Sequence, residues 1–328
     1  MNYPVIDLHC DLLSHMSRMT NPDPFKEDIG CSFPALAQGS VKLQVMVIYT
    51  ATQKGSAAFA LKQSEIFASL LDKYPNDCTL VHDVNTLNQI ATSSKLGMIA
   101  AIENASGLCE EDEPLEIGME RLEKIIANTR RILYIGFTHH EENRFGGGNY
   151  SEAGLKEDGK KLLQYLNGKK IAVDFSHTSD ALAQDILDYL SEYSLEVPIL
   201  ASHSNYRKVF NHLRNLPDDI AKEIIHRGGV IGVNFLRLFL DDKDPNTLYK
   251  HINHGIQLGG FNSVCFGADY FDTNNHPDQS RIPFYFKEHA DASCYPSIIK
   301  NISQQVSPEI IEGISSKNIM NYLVELWK

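Results

Sequence analysis

Short runs of β-branched and other apolar residues recur along the chain, and between them lie stretches whose apolar positions return every three or four residues. The runs are VIDLH from Val5, KLQVMVIYT from Lys42, LGMIAAIE from Leu96, RILYIGFT from Arg131, IAVDFSH from Ile171, PILASH from Pro198, VIGVNF from Val230 and SVCFGAD from Ser263. Among the intervening stretches, Leu115, Met119, Leu122, Ile125 and Ile126 share one helical face, and Leu182, Ile186, Leu187 and Leu190 share another. Strand-like runs alternating with amphipathic helices predict βα units and a parallel sheet. No linker, low-complexity tract or internal repeat divides the sequence. The expected architecture is therefore α/β, one TIM (β/α)8 barrel domain over 1–328.

The polar residues that close these runs carry the candidate chemistry. The first run ends in His9 and Asp11, the third in Glu103, the fourth in His139 and His140, the fifth in His177, the sixth in His203 and the eighth in Asp269. In a TIM barrel the carboxyl ends of the strands form one rim, so residues far apart in sequence would converge there. Histidines, a Glu able to bridge and two Asp suit a borderline divalent cation such as zinc. Each residue also has a plainer reading. Asp11 precedes LLSHM and reads equally as a helix cap, and Asp269 as a turn or cap. A lone strand-end histidine is more often a hydrogen-bonded structural residue. His15, His82, His212, His226, His251, His254, His276 and His289 stay under that structural reading. Glu103 resists it, because an unpaired carboxylate is costly after so apolar a run. Residues two apart on a strand point to one side, so His9 and Asp11 can reach one ion while Cys10 faces away. Asp7 shares that side, either orienting a ligand or packing in the barrel.

Composition narrows the field. The 328 residues are 43% hydrophobic and 22% charged, as expected of a globular chain. The net charge of −12 disfavours nucleic acid and an anionic membrane surface as partners. The start MNYPVIDLHC lacks a secretion signal's basic and apolar regions, no run reaches 18 apolar residues, and NYLVELWK ends as an amphipathic helix rather than a lipid-anchor signal. Six scattered cysteines without a Cys-x-x-Cys pair point to reduced thiols in the cytoplasm.

The run IDLHCDLL resembles the metal-binding opening of the membrane (renal) dipeptidases, zinc peptidases of the amidohydrolase-like barrels. The likeness continues in order through IEN at Glu103, GFTH ending at His139, DFSH ending at His177, ASHSN containing His203 and RNLPD from Arg214. It extends through FGAD ending at Asp269, RIP at Arg281 and YPSIIKNI from Tyr295 to Asn318. The resemblance implies two Zn2+, one held by His9 and Asp11, the other by His177 and His203, with Glu103 bridging. It further implies that His139 contacts the substrate carbonyl, that Arg214 holds the substrate's terminal carboxylate and that Asp269 is the acid/base. It implies cleavage of small dipeptides with tolerance of a D-residue at the carboxyl position, and a homodimer; some members open β-lactams. The segment HHEENRFGGGN departs from the mammalian pattern, and His140 rivals His139.

Two ions sharing Glu103 would sit roughly 3.5–4 Å apart and hold a bridging water as hydroxide near neutral pH. Asp269 would take its proton as it attacks the scissile carbonyl and pass one to the leaving amine. Arg214 offers a planar fork for a carboxylate, which sieves for dipeptides. Gly146, Gly147 and Gly148 lack side chains that would close the wall beside the second residue. The loop NNHPDQSRIPFYFKEHA after the eighth run reads either as a lid, with Tyr285 and Phe286 shaping the pocket, or as plain surface packing. The rival readings are another amidohydrolase-type reaction (deaminase or lactonase) on the same metals and a catalytically silent barrel kept as a binding protein.

Overall fold

Parallel strands whose two faces are both covered should be apolar on both, and that is what the chain folds into. The computed structural model describes residues 3–328. Its strands are β1 Val5–Cys10, β2 Val41–Tyr49, β3 Cys78–Leu80, β4 Leu96–Glu103, β5 Ile132–Gly136, β6 Ala172–Asp174, β7 Ile199–Leu200, β8 Ile231–Val233 and β9 Val264–Phe266. All pair in parallel, in the order β7-β6-β5-β4-β2-β1-β9-β8, and a bridge from Ala201 to Ile231 brings the two ends together. The result is a nearly closed eight-stranded ring surrounded by helices, a TIM barrel. β3 lies off the ring, pairing with β4 below the point where β5 begins. The sequence pattern misses it, because CTL is too short to show alternation.

Alternation along the strands divides the core in two. Val45 and Val47 of β2 with Ile99 and Ala101 of β4 fill the barrel, while Met46 and Ile48 with Met98, Ala100 and Ile102 pack outward under the helices. The helix Leu115–Thr129 buries Leu115, Leu122 and Ile125, and Asp180–Glu192 buries Leu182, Ile186, Leu187 and Leu190. The final helix, Asn318–Trp327, sets Ile319, Leu323 and Leu326 against the barrel interior. Asn318 Nδ2 donates to Val264 O and Phe261 O at the amino end of β9, so this helix plugs the end opposite the rim. Among the described residues no helix is long and apolar enough to cross a membrane.

The structure corrects the expected strand ends. β5, β6, β7 and β9 stop at Gly136, Asp174, Leu200 and Phe266. Thus His139, His177, His203 and Asp269 each stand three residues beyond a strand. β1 corrects the side-chain reading. A register shift between Asp7 and Cys10 interrupts its alternation, and Leu8 and His9 both reach into the barrel.

Candidate metal centre

Glu103 ends β4 inside the ring and is the hub of the rim. His9 Nε2 lies 3.2 Å from its Oε2; His177 and His203 Nε2 lie 3.0 and 3.6 Å from its Oε1. Asp11 Oδ2 and Asp269 Oδ1 stand 3.9 and 3.7 Å from His9 Nε2. Donor atoms of His9, Asp11 and Glu103 lie within 4.8 Å of one another, and so do those of Glu103, His177 and His203. The same holds for His9, His203 and Asp269, and for His139, His140 and His177. Asp11 occupies a helix N-cap position but makes no capping bond with its side chain, so capping does not account for it.

Each histidine is aimed through its other ring nitrogen. Tyr134 Oη donates to Leu8 O at 2.9 Å and therefore accepts from His9 Nδ1 at 3.0 Å. Ser202 Oγ donates to Asp174 Oδ2 at 2.5 Å and accepts from His203 Nδ1 at 2.6 Å. Asn149 Oδ1 accepts from His177 Nδ1 at 3.2 Å and from His140 Nδ1 at 2.9 Å. With the proton on Nδ1 in all three, the Nε2 lone pairs of His9, His177 and His203 converge on the Glu103 carboxylate. Asp7 serves the backbone instead: Oδ1 accepts from His9 N–H and Gln44 Nε2, and Oδ2 from Ala268 N–H and the Tyr295 hydroxyl. It thereby ties the segments that carry His9 and Asp269 together.

Metal ions fit this donor set. His177 and His203 Nε2 approach to 3.0 Å with no proton left to share between them. His9 Nε2 and Asp11 Oδ1 are buried without hydrogen-bond partners among the described residues. Burial pushes Glu103 and Asp269 up to about 8 and, with the Glu103 charge beside it, Asp11 up to about 7. Burial also holds His177 and His203 well below the ordinary imidazole range. Carboxylates that cling to protons and imidazoles that shed them await a cation that replaces the protons.

A cavity of about 900 Å³ opens over this cluster, lined by Asp11, Glu103, His139, His177 and Asp269 among others. His139 Nε2 is 3.8 Å from Glu103 Oε1, with its ring 5.1 Å from Tyr49 and 4.0 Å from His140. Asp269 has a left-handed backbone (φ 64°), and its Oδ2 accepts from Asn234 Nδ2 at 2.8 Å. The Tyr285 hydroxyl donates to Asp269 O.

Other expectations are corrected. Tyr285 and Phe286 do not line the cavity, whereas Phe284 and Ile282 do. Gly146, Gly147 and Gly148 are buried away from it. A Cβ on Gly148 would collide with the carbonyl oxygens of His139 and Glu141, so this glycine permits close backbone packing rather than an open pocket wall. His15 and His276, read as structural, do line the cavity. His15 bridges Glu27 and Asp272, at 3.0 Å each. Arg214 is buried beside the centre but does not line the cavity; its terminal nitrogens donate to Ser204 Oγ and His203 O, and its Nε has no partner among the described residues.

Sequence reasoning missed Tyr134, Asp174, Ser202, Asn149 and Asn234. Asp174 and Ser202 could have been suspected from DFSH and ASH, where they stand three and one residues before a histidine. Asn149 lies 28 residues from His177, and nothing in the local pattern marks it.

The comparisons agree with this architecture. The dipeptidase tcpJ of Claviceps purpurea is 24% identical over 312 residues, covering 89% of this chain and 68% of that protein. The uncharacterized dipeptidase C965.12 of Schizosaccharomyces pombe is 27% identical over 281 residues, covering 82% of this chain and 61% of its own length. The chain thus spans roughly two-thirds of the length of these relatives. Among solved structures, the family M19 metallopeptidase dipeptidase AC superposes with a TM-score of 0.86 at 17% identity, covering 100% of this chain and 99% of its own. A metallopeptidase from Rhodobacter sphaeroides, liganded with a phosphinate mimic of L-Ala-D-Ala, superposes at 0.84 with 17% identity and full coverage of both chains. The sequence profile described as membrane dipeptidase (peptidase family M19) matches residues 1–326, and the chain belongs to that family.

Proposed function

We propose that this protein is a zinc-dependent dipeptidase with two metal ions, cleaving the peptide bond of small dipeptides. The observation that carries the reading is the pair of donor trios sharing Glu103: His9 and Asp11 on one side, His177 and His203 on the other. Bound there, two divalent cations supply an activated water and polarise the scissile carbonyl. The remaining steps belong to the chain. Asp269, buried and held by Asn234, takes the water's proton and returns one to the leaving amine. His139, on the cavity wall, donates to the carbonyl oxygen as charge develops on it. Arg214 takes the substrate's terminal carboxylate, a role that rests on family membership; its buried guanidinium stands beside the centre, outside the cavity lining, with its terminal nitrogens on Ser204 Oγ and His203 O and in the field of Asp269 and Glu103. A longer peptide would present a neutral amide there, which selects for dipeptides.

Tolerance of a D-residue at the second position is part of the proposal. It rests on family membership and on the L-Ala-D-Ala mimic held by the Rhodobacter sphaeroides relative, not on the glycine-rich loop. The six free thiols fit a reducing compartment such as the cytoplasm. The test is metal content measured alongside a panel of L,L, L,D and D,L dipeptides, free and amidated at the C-terminus. Expected are about two zinc-like ions per chain, loss of activity on chelation, comparable turnover of L,L and L,D substrates, and poor turnover of amidated ones. Full activity after chelation overturns the metal mechanism. Equal turnover of free and amidated dipeptides removes the Arg214 sieve and favours another amidohydrolase-type reaction.

A further inference from the structure

Three arginines line the cavity, and two of them are neutralised. Arg237 pairs with Asp242 at 2.8 Å, and Arg281 pairs with Asp278 at 3.0 Å. Arg18 differs. It stands at the C-cap of the helix Leu12–Ser17, which begins just after Asp11, and its guanidinium lies 5.6 Å from the Phe59 ring centre. Among the described residues it forms no ion pair, although it is exposed on the cavity side and its charge is felt by Asp11 and Tyr49. The cavity wall nearby in the chain order of the ring is uncharged: Ala51, Thr52 and Gln53 follow β2. The lining carboxylates outside the metal centre are spent elsewhere or lie elsewhere. Asp242 and Asp278 hold the other arginines, Asp272 holds His15, and Glu141 follows β5.

Position around the ring gives this charge a direction. Arg214 follows β7, whereas Arg18 follows β1, and β1 stands three places from β7 in the eight-stranded ring, across β9 and β8. The two arginines thus flank the metal centre from separate segments of the ring. If Arg214 takes the terminal carboxylate, the amino-terminal residue of the dipeptide lies toward Arg18.

We propose that Arg18 is a specificity residue that selects dipeptides with an acidic side chain on the amino-terminal residue. This rests on the dipeptidase reading above. A guanidinium already packed on an aromatic face and lacking a counter-ion offers a planar fork to a carboxylate at little ordering cost. The cavity is large enough for a Glu side chain to extend to its rim.

The experiment compares kcat/KM for L-Glu-L-Ala, L-Gln-L-Ala, L-Lys-L-Ala and L-Ala-L-Ala with the metal-loaded enzyme and its Arg18→Glu and Arg18→Lys variants. Wild type should favour Glu over the isosteric Gln by about three- to tenfold, a size suited to a partly solvated ion pair, and salt should shrink the ratio. Arg18→Glu should invert the order so that L-Lys-L-Ala exceeds L-Glu-L-Ala, while Arg18→Lys should keep part of the preference. Equal handling of Glu and Gln by wild type, or a ratio unchanged in Arg18→Glu, overturns the proposal. A preference that appears for L-Ala-L-Glu over L-Ala-L-Gln instead overturns the placement at the amino-terminal residue. If no dipeptide is cleaved, L-Ala-L-Ala included, the dipeptidase reading itself falls and the Arg18 role with it.

Discussion

Asn149 holds two imidazoles with one carbonyl oxygen, and its removal isolates what tautomer control contributes. Without it, His177 Nδ1 is free to lose its proton or turn, and the Nε2 lone pair is no longer directed at Glu103. Asn149→Ala should weaken metal binding about 10- to 100-fold, the usual cost of losing such a supporting bond. A competition titration with a chelating dye measures this, and unchanged affinity would sink the role. Asp269 is tested on the opposite criterion. Asp269→Asn keeps the volume and the Asn234 contact but cannot accept a proton. It should retain its metals and lose roughly 10²–10⁴-fold in rate. A variant as active as wild type would remove Asp269 from the mechanism.

The recurring unit above the residue is a short strand followed by a three-residue step that lifts a ligand-bearing side chain onto the rim. Gly136 to His139, Asp174 to His177, Leu200 to His203 and Phe266 to Asp269 all follow it. The loop after β5 makes this step only because it doubles back on itself, with Gly148 packed against the backbone of His139, His140 and Glu141. Gly148→Ala should force that backbone apart, destabilising the protein by about 1–3 kcal/mol as overpacking does. It should also cost activity, because His139 and Asn149 move together. Thermal denaturation beside turnover of L-Ala-L-Ala checks both, and a variant with wild-type stability would show that the loop yields without strain. The eight strands of the ring were legible from their apolar runs, whereas β3 was not. Their ends were not, because an apolar residue just past the last ladder bond, such as Phe137 or Phe175, looks the same in sequence as one inside it.

Across the whole molecule, the centre gathers acidic groups that resist ionisation when no cation is present. In the metal-free fold burial makes Asp11, Glu103 and Asp269 keep their protons up to about 7 to 8, whereas in the unfolded chain they lose them at the ordinary carboxylate values of 3.8 to 4.5. Between those limits the fold binds more protons, so stability falls as pH rises. His139, His177 and His203 act in the opposite sense: neutral in the fold, they favour unfolding as pH drops below 6.5. Above 6.5 only the carboxylates still contribute. The chelated protein should therefore melt at lower temperature as pH is raised from 6.5 to 8, and the metal-loaded protein should lack this decline. Parallel melting curves of the two forms decide it; equal slopes would mean that the carboxylates are not protonated in the metal-free fold.

The alternation of apolar runs with amphipathic stretches implied the barrel, and the run ends named the candidate residues at its rim. Apolar periodicity is a local property, and polar metal-capable side chains at successive run ends are visible without coordinates. Which atoms meet there is read from the fold alone. The choice of Nε2 over Nδ1 depends on Tyr134, Ser202 and Asn149, which approach from other segments of the ring. The bulge that turns His9 inward depends on pairing with β2. The difference between Arg18 and the two neutralised arginines depends on which carboxylates fold against them. These are contacts between distant segments, and their energies come from burial and partner geometry that no local pattern encodes.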